Sequence, residues 1–255
     1  MVPPMNKYTI KDVFNKYFYV TPATSAPLRE IAYRIRYQVY CQEFHYEREE
    51  DCLGQMEQDD YDAQSQHCLL MHRPSSAPVG CLRLIGPRKD APHAPLPFQR
   101  YCKNSSNYNL FDLSALPPGG FGEVSRLAVL ASFRRRQGDE KKPVAFPEEE
   151  GIDGSAGGRH SFPFIPVSLF LAGLSIFLTS NLHYAFAMME PRLARLLKRF
   201  GIIFIQVGDV VDYHGFRGPF VYPREGALAN LTPEVYELWQ LINQQLAENP
   251  INLRR

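Results

Sequence analysis

The sequence predicts an α/β domain, and three observations carry that expectation. Short apolar runs of strand character alternate with stretches of helical apolar spacing, in the order strand, helix, strand, strand, strand, helix, strand, helix, strand, strand. At 255 residues and 45% hydrophobic, the chain can bury one substantial core and is short for two full domains. The third observation is the run Gly122–Val129, β-branched and apolar but interrupted by one carboxylate, Glu123, and one guanidinium, Arg126. Charges of both signs inside a buryable strand mark a site or an ion-pair network, because unpaired burial of either is costly.

Each element has its own signal. Tyr17–Val20 reads as a short strand. Ser25 and Pro27 open a helix whose Leu28, Ile31, Ile35 and Val39 form one apolar stripe. The acidic stretch from Glu47 to Asp62 has no periodicity and reads as a mobile segment that orders over something. His67–Met71 and Val79–Ile85 make a hairpin around the turn-rich Arg73-Pro74-Ser75-Ser76, and the second strand carries a single Arg83. Arg88–Asn109 reads as loop, and the central strand spans 122–130. The polar, glycine-rich stretch Asp139–His160 reads as disordered or a lid, so the domain is taken as 1–255 with a flexible insertion at 138–160. An apolar helix over 164–180 and a strand at Tyr184–Met188 follow. A helix then begins at Pro191 and stops at Gly201, with Leu193, Leu196, Leu197 and Phe200 inward. Ile202–Val207 and Pro219–Tyr222 read as strands, and Thr232-Pro233 opens a last helix burying Val235, Leu238, Trp239 and Ile242. No internal repeat is evident.

Composition excludes several classes. A net charge of +1 gives no global field of the kind that marks a nucleic-acid binder. Cys41, Cys52, Cys68, Cys81 and Cys102 are odd in number and contain no C-x-x-C pair, which reads as reduced thiols in a cytoplasmic protein. The seven histidines show no metal-ligand spacing, so no metal is expected. Lys7 is not followed by an apolar signal region. Phe162–Leu182 approaches the length of a membrane span, but prolines and polar residues dilute it, and a helix buried within an α/β core reads the same way.

The element order resembles the GNAT acyltransferase fold, a mixed central sheet flanked by helices. The spacing Arg36…Asp59-x-x-Asp62…Arg83…Phe98…Glu123-x-x-Arg126 is similar to the signature of the acyl-homoserine-lactone synthases and of the long-chain N-acyl amino acid synthases. The runs Arg34–Cys41 and Tyr213–Phe220 resemble most closely the acyltransferases associated with bacterial exosortase/PEP-CTERM sorting systems. Together the resemblance spans roughly residues 17 to 223. It implies catalytic roles for Glu123 and Arg126 and substrate-binding roles for Arg36, Asp59, Asp62, Arg83 and Phe98.

The chemistry agrees with that implication. Amide formation from a thioester needs a deprotonated amine, and a strand-borne carboxylate such as Glu123 can take its proton, a contribution of roughly 10² to 10⁴ in rate. Backbone N–H groups where the central strand splays are the candidates for the oxyanion. In a regular strand Arg126 falls on the opposite face from Glu123, so either a bulge intervenes or Arg126 does another job. Arg36, Arg83 and Arg126 with Asp59 and Asp62 read equally well as an ion-pair clamp holding the acidic segment on the sheet, and Glu123 could be a partner in it. His214 and Arg217 read as turn residues ahead of carboxylate ligands.

For the donor, Arg135-x-x-Gly138 is followed by Glu140 where the pyrophosphate loop of coenzyme A-dependent relatives carries a small residue. Arg134, Arg135 and Arg136, with Arg192, Arg195 and Arg199, supply local positive charge suited to an acidic acyl carrier protein. The expectation is an N-acyltransferase moving a long acyl chain from acyl carrier protein, or from acyl-CoA, to an amino acid α-amine, with no cofactor and with membrane contact only through its product. The alternatives are an acyl-homoserine-lactone synthase using S-adenosylmethionine and a non-catalytic acyl-binding accessory protein.

Overall fold

A computed structural model describes residues 9–101, 111–112, 115–133 and 163–248. The insertion at 138–160 and the cluster Arg134–Arg136 lie outside the described residues.

Helix α1 (Ile10–Tyr17) stands where the sequence predicts no element. It starts from a reciprocal cap, in which Thr9 Oγ1 accepts from the Asp12 N–H and the Asp12 carboxylate accepts from the Thr9 N–H, both at 3.1 Å. Strand β1 (Phe18–Pro22) leads to α2 (Ala26–Arg36), capped by Ser25 and continued by a π-helical turn at Tyr37–Glu43 that keeps Val39 in the buried stripe. The expected hairpin is β2 (Ser65–His72) and β3 (Ala77–Ile85). The stretch read as loop contains a short helix, α3 (Pro97–Tyr101), which Pro97 opens. Strand β4 (Phe121–Val129) is the expected central strand. Helix α4 (Phe164–Thr179) is buried at every position from Pro166 to Phe177, which explains its continuous apolarity. Among the described residues no helix is long and apolar enough to cross a membrane.

Then come β5 (Tyr184–Met189), α5 (Pro191–Lys198), the short β6 (Ile205–Gln206) and β7 (Val211–Asp212), β8 (Phe216–Pro223) and α6 (Pro233–Glu248). Helix α5 ends as the sequence predicts. Gly201 has φ +81°, and a Cβ there would stand 1.8 Å from the Asn230 carbonyl oxygen, so no other residue fits. The strand expected over Ile202–Val207 shrinks to two residues, β7 is additional, and β8 begins three residues earlier than expected.

The strands form one sheet in the order β1-β2-β3-β4-β5-β8-β6, with β7 beside β8. Among the described residues only β4 and β5 run parallel; the other pairs are antiparallel. The larger core lies on one face and takes in Phe14 of α1, α4, the inner side of α5 and α6. The opposite face is divided. Near its β1 end α2 covers Leu69, Met71 and Cys81, and near its β8 end Phe98 packs with Ile85, Phe186 and Val221. Between those two apolar patches the face carries His67, Arg83, Ser125 and Glu123.

Two irregularities of β4 open and line a cleft in this face. Its pairing with β5 covers only Phe121–Glu123 against Tyr184–Phe186, whereas β5 stays paired with β8 as far as Met189. Beyond Glu123 the β5-facing edge of β4 therefore has no strand partner among the described residues, and the sheet opens as a V. The second irregularity is a bulge. Cys81 stands opposite Ala128 and Arg83 opposite Ser125, so Arg126 and Leu127 together oppose Leu82, and Arg126 takes φ +53°. The extra residue turns Arg126 onto the face of Glu123, which resolves the face conflict left by regular alternation. Gly122 permits the close approach next to the V: a Cβ there would lie 2.5 Å from the Ile85 carbonyl oxygen.

Candidate active site

The arginines of three separate elements converge on one acidic segment. Arg36, in the last turn of α2, bonds through Nε to Glu57 and through Nη1 and Nη2 to the two oxygens of Asp62 at 2.6 and 3.0 Å. Arg83 of β3 holds Asp59 by a fork at 2.6 and 2.7 Å, reaches Asp62 at 2.6 Å and donates to Ser125 Oγ at 3.0 Å. Arg126 at the bulge donates to Glu57 at 3.0 Å, and to Glu47 and Asp59 at 3.2 Å each. The segment expected to be mobile is thus ordered, and the surface it orders over is the three arginines. Arg36 is 0% and Arg83 1% exposed, so these charges persist inside only because each is met by opposite charge in hydrogen-bonding geometry.

Burial works against ionisation of Asp62, and the hydrogen bonds and charge of Arg36, followed by the charge of Arg83, overcome it and hold the carboxyl well below its usual range. Glu57 and Asp59 are lowered in the same balance, Glu57 by Arg36 and Arg126 and Asp59 by Arg83 and Arg126. His67, beside Asp62 at 3.5 Å, is pushed down to about 4, chiefly by burial, and is neutral.

Glu123 stands apart from this network. It is 3% exposed and takes part in none of the ion pairs among the described residues, and its Oε2 accepts the Phe98 N–H at 2.9 Å. Burial pushes its carboxyl up to about 7, against the opposing pull of that N–H. The reading of Glu123 as a partner of the arginine clamp is corrected by this separation. Phe98 is fixed in turn, its ring stacked on Phe186 at 4.6 Å and 12°.

A cavity of about 120 Å³ opens at the V and is lined by Glu123, Val124, Ser125 and Arg126 of β4, by Arg83 and Phe98, and by Met188 and Glu190 at the end of β5. A smaller, apolar cavity of about 20 Å³ lies between the sheet and α4 and shares Val124 and Phe170 with the first. Of the residues expected to bind substrate, Arg83 and Phe98 line the main cavity. Arg36, Asp59 and Asp62 do not, and bear on it through Arg83 and Arg126. Arg195 and Arg199 are exposed on the outer side of α5 with Lys198, and Arg192 is half-buried. Sequence reasoning passed over Glu47 and Glu57 as site residues, and over Tyr40 and Tyr46, whose rings line the cavity. Acidic residues in an aperiodic stretch were the available signal for the two glutamates. Among the described residues no group of histidine, cysteine and carboxylate side chains is arranged to hold a metal. Cys41, Cys52, Cys68 and Cys81 are free thiols, and Cys102 lies outside the described residues.

Comparison with known proteins agrees with the architecture. Residues 35–141 match the acetyltransferase (GNAT) domain family. No curated protein matches the chain by sequence. Among solved structures, the acyl-homoserine-lactone synthase LasI is similar at a TM-score of 0.54 and 13% identity, over 85% of this chain and 98% of that one. FeeM, an N-acyl amino acid synthase from uncultured soil microbes, is similar at 0.52 and 14%, over 84% and 94%. MesI, a CoA-dependent acyl-homoserine-lactone synthase, is similar at 0.54 and 15%, over 87% and 93%. At these identities the likeness is one of fold, a GNAT-like mixed α/β sheet flanked by helices.

Proposed function

From a GNAT-like fold with a buried carboxylate at the mouth of its V, we propose that this chain is an N-acyltransferase that moves a long acyl chain from acyl carrier protein to the α-amine of an amino acid. The observation that carries the reading is Glu123, a cavity-lining carboxyl kept out of the ion pairs and pushed by burial to about 7. A base with that affinity is half ionised near neutrality, where general-base efficiency is greatest. It takes the proton that the ammonium must lose before its lone pair attacks the thioester carbonyl. The tetrahedral oxyanion is met by main-chain N–H groups on the unpaired edge of β4, and collapse expels the thiol. Arg83 and Arg126 are held by carboxylates on the far side and serve as a rigid wall.

The acyl chain takes the apolar route. Val124 and Phe170 are shared by both cavities, so a chain entering at the V continues past them toward α4. The donor surface is the basic outer side of α5 (Arg192, Arg195 and Arg199), since Leu193 on the inner side of α5 lines the cavity, and the sequence alone adds Arg134–Arg136 to the basic residues available to the donor. For the exosortase/PEP-CTERM setting the support is the sequence resemblance of Arg34–Cys41 and Tyr213–Phe220.

Incubation of the purified protein with acyl carrier protein or coenzyme A thioesters and a panel of amino acids, read by mass spectrometry, tests the proposal. An N-acyl amino acid is the expected product. A lactone formed from S-adenosylmethionine would instead assign the chain to the autoinducer chemistry named for LasI, and no product from any donor would reject both.

A further inference from the structure

An amino acid presented to Glu123 brings a carboxylate with it, and that charge needs a cation inside the cavity. The arginines nearest Glu123 are already engaged. Arg83 is bonded to Asp59 and Asp62, and Arg126 to Glu47, Glu57 and Asp59. Arg217, at the start of β8, differs from them. It is half-buried, it lines the same cavity as Glu123, and it takes part in none of the ion pairs among the described residues.

Its position is fixed by aromatic contacts. The Arg217 guanidinium lies over the Tyr46 ring, 5.8 Å from the centroid, and the His214 ring packs on the same tyrosine at 4.7 Å. Tyr46 is stacked on Tyr40 at 6.3 Å, and Arg126 lies over Tyr40 at 5.7 Å. One wall is therefore a ladder of rings with a neutralised cation at one end and a cation without a carboxylate partner at the other. The groups around Arg217 are Tyr46 and Glu47 where the acidic segment begins, Glu190 just after β5, Asp212 of β7 and His214 of the turn between β7 and β8. Neither Glu47, Glu190 nor Asp212 forms an ion pair with it. Burial, and then the charge of Arg217 itself, hold His214 below its ordinary value, so the histidine does not compete as a cation.

We propose that Arg217 receives the α-carboxylate of the amine substrate while Glu123, in the same cavity, takes the proton from its α-amine. The assignment rests on the proposed function and adds to it the group that distinguishes amino acids from other amines. The planar guanidinium can bind both carboxylate oxygens at once, a geometry a lysine cannot reproduce. The residue read from sequence as part of a turn is thus a specificity residue.

The test compares each amino acid with its carboxamide, in the wild type and in Arg217→Gln and Arg217→Lys, using steady-state acylation and thermal melting to confirm folding. The wild type is expected to prefer the free acid in kcat/KM. Arg217→Gln should raise the KM for the acid about 10- to 100-fold, with a much smaller change in kcat, and bring the acid-to-amide ratio toward one. Arg217→Lys should fall between them. The weaker basicity of the amide's amine affects wild type and variants alike, so the change in ratio reports the carboxylate alone. A wild type that acylates acids and amides equally well would overturn the role of Arg217 and leave the proposed function standing. A wild type that acylates no amine would overturn the proposed function itself, and the Arg217 assignment with it.

Discussion

Glu123 and the arginines of the clamp show how differently one protein treats buried charge. The clamp arginines keep their charge because carboxylates surround them, whereas Glu123 is desolvated without a counter-ion and holds its proton up to about 7. Removing one clamp partner leaves the others buried and unmatched. Arg36→Met should therefore cost about 3–5 kcal/mol of folding stability in denaturant titrations and release the 57–62 segment in hydrogen exchange. Glu123 carries the opposite sign. Its folded-state value lies above the 4.5 of an unperturbed glutamate, so its contribution is fully present below that pH and is lost as pH rises through about 7. Glu123→Gln, which mimics the protonated form and can still accept the Phe98 N–H, should match the wild type in stability near pH 4 and exceed it by about 3 kcal/mol at pH 8. Equal stability at both values would show that Glu123 is not desolvated. Glu123, Arg83 and Arg126 were legible because each interrupts an apolar strand, and Arg36 was legible through the family resemblance. Their partnerships were not, since Glu57 lies 21 positions from Arg36 and Glu47 lies 79 from Arg126, and no local pattern encodes such distances.

At the scale of elements, the site depends on where β4 stops pairing with β5 and where it bulges. Apolar alternation announced β4, β5 and the buried α4, because each periodicity is local. The V arises from pairing between strands about sixty residues apart and the bulge from pairing between strands about forty apart, and the sequence marked them only by the conflict between Glu123 and Arg126 over which face they share. Helices α1 and α3 were passed over because their eight and five residues carry too few apolar positions to show a period. Val124 is, with Phe170, a wall shared by the two cavities, so its size should set the length of acyl chain admitted. Val124→Phe is expected to shift the preferred donor to shorter chains while the amino acid KM changes little. Competition between donors of graded length checks this, and an unchanged length profile would place the acyl chain elsewhere.

Across the whole molecule a nearly neutral chain concentrates positive charge beside the cavity, on the outer side of α5. Screening limits exposed charges to a reach of about 8 Å at physiological ionic strength, so added salt should raise the KM for an acyl carrier protein donor. Arg195→Glu with Arg199→Glu should raise it further and leave the amino acid KM unchanged; insensitivity to both would remove α5 from the docking surface. The central claim concerns the proton on the amine, and kcat/KM for the amino acid measured against pH addresses it most directly. In the wild type it should fall tenfold per pH unit below an apparent pKa near 7, while Glu123→Gln should be at least a hundredfold slower at pH 8 and lack that limb. A folded Glu123→Gln that retains the same limb and near wild-type turnover would contradict it.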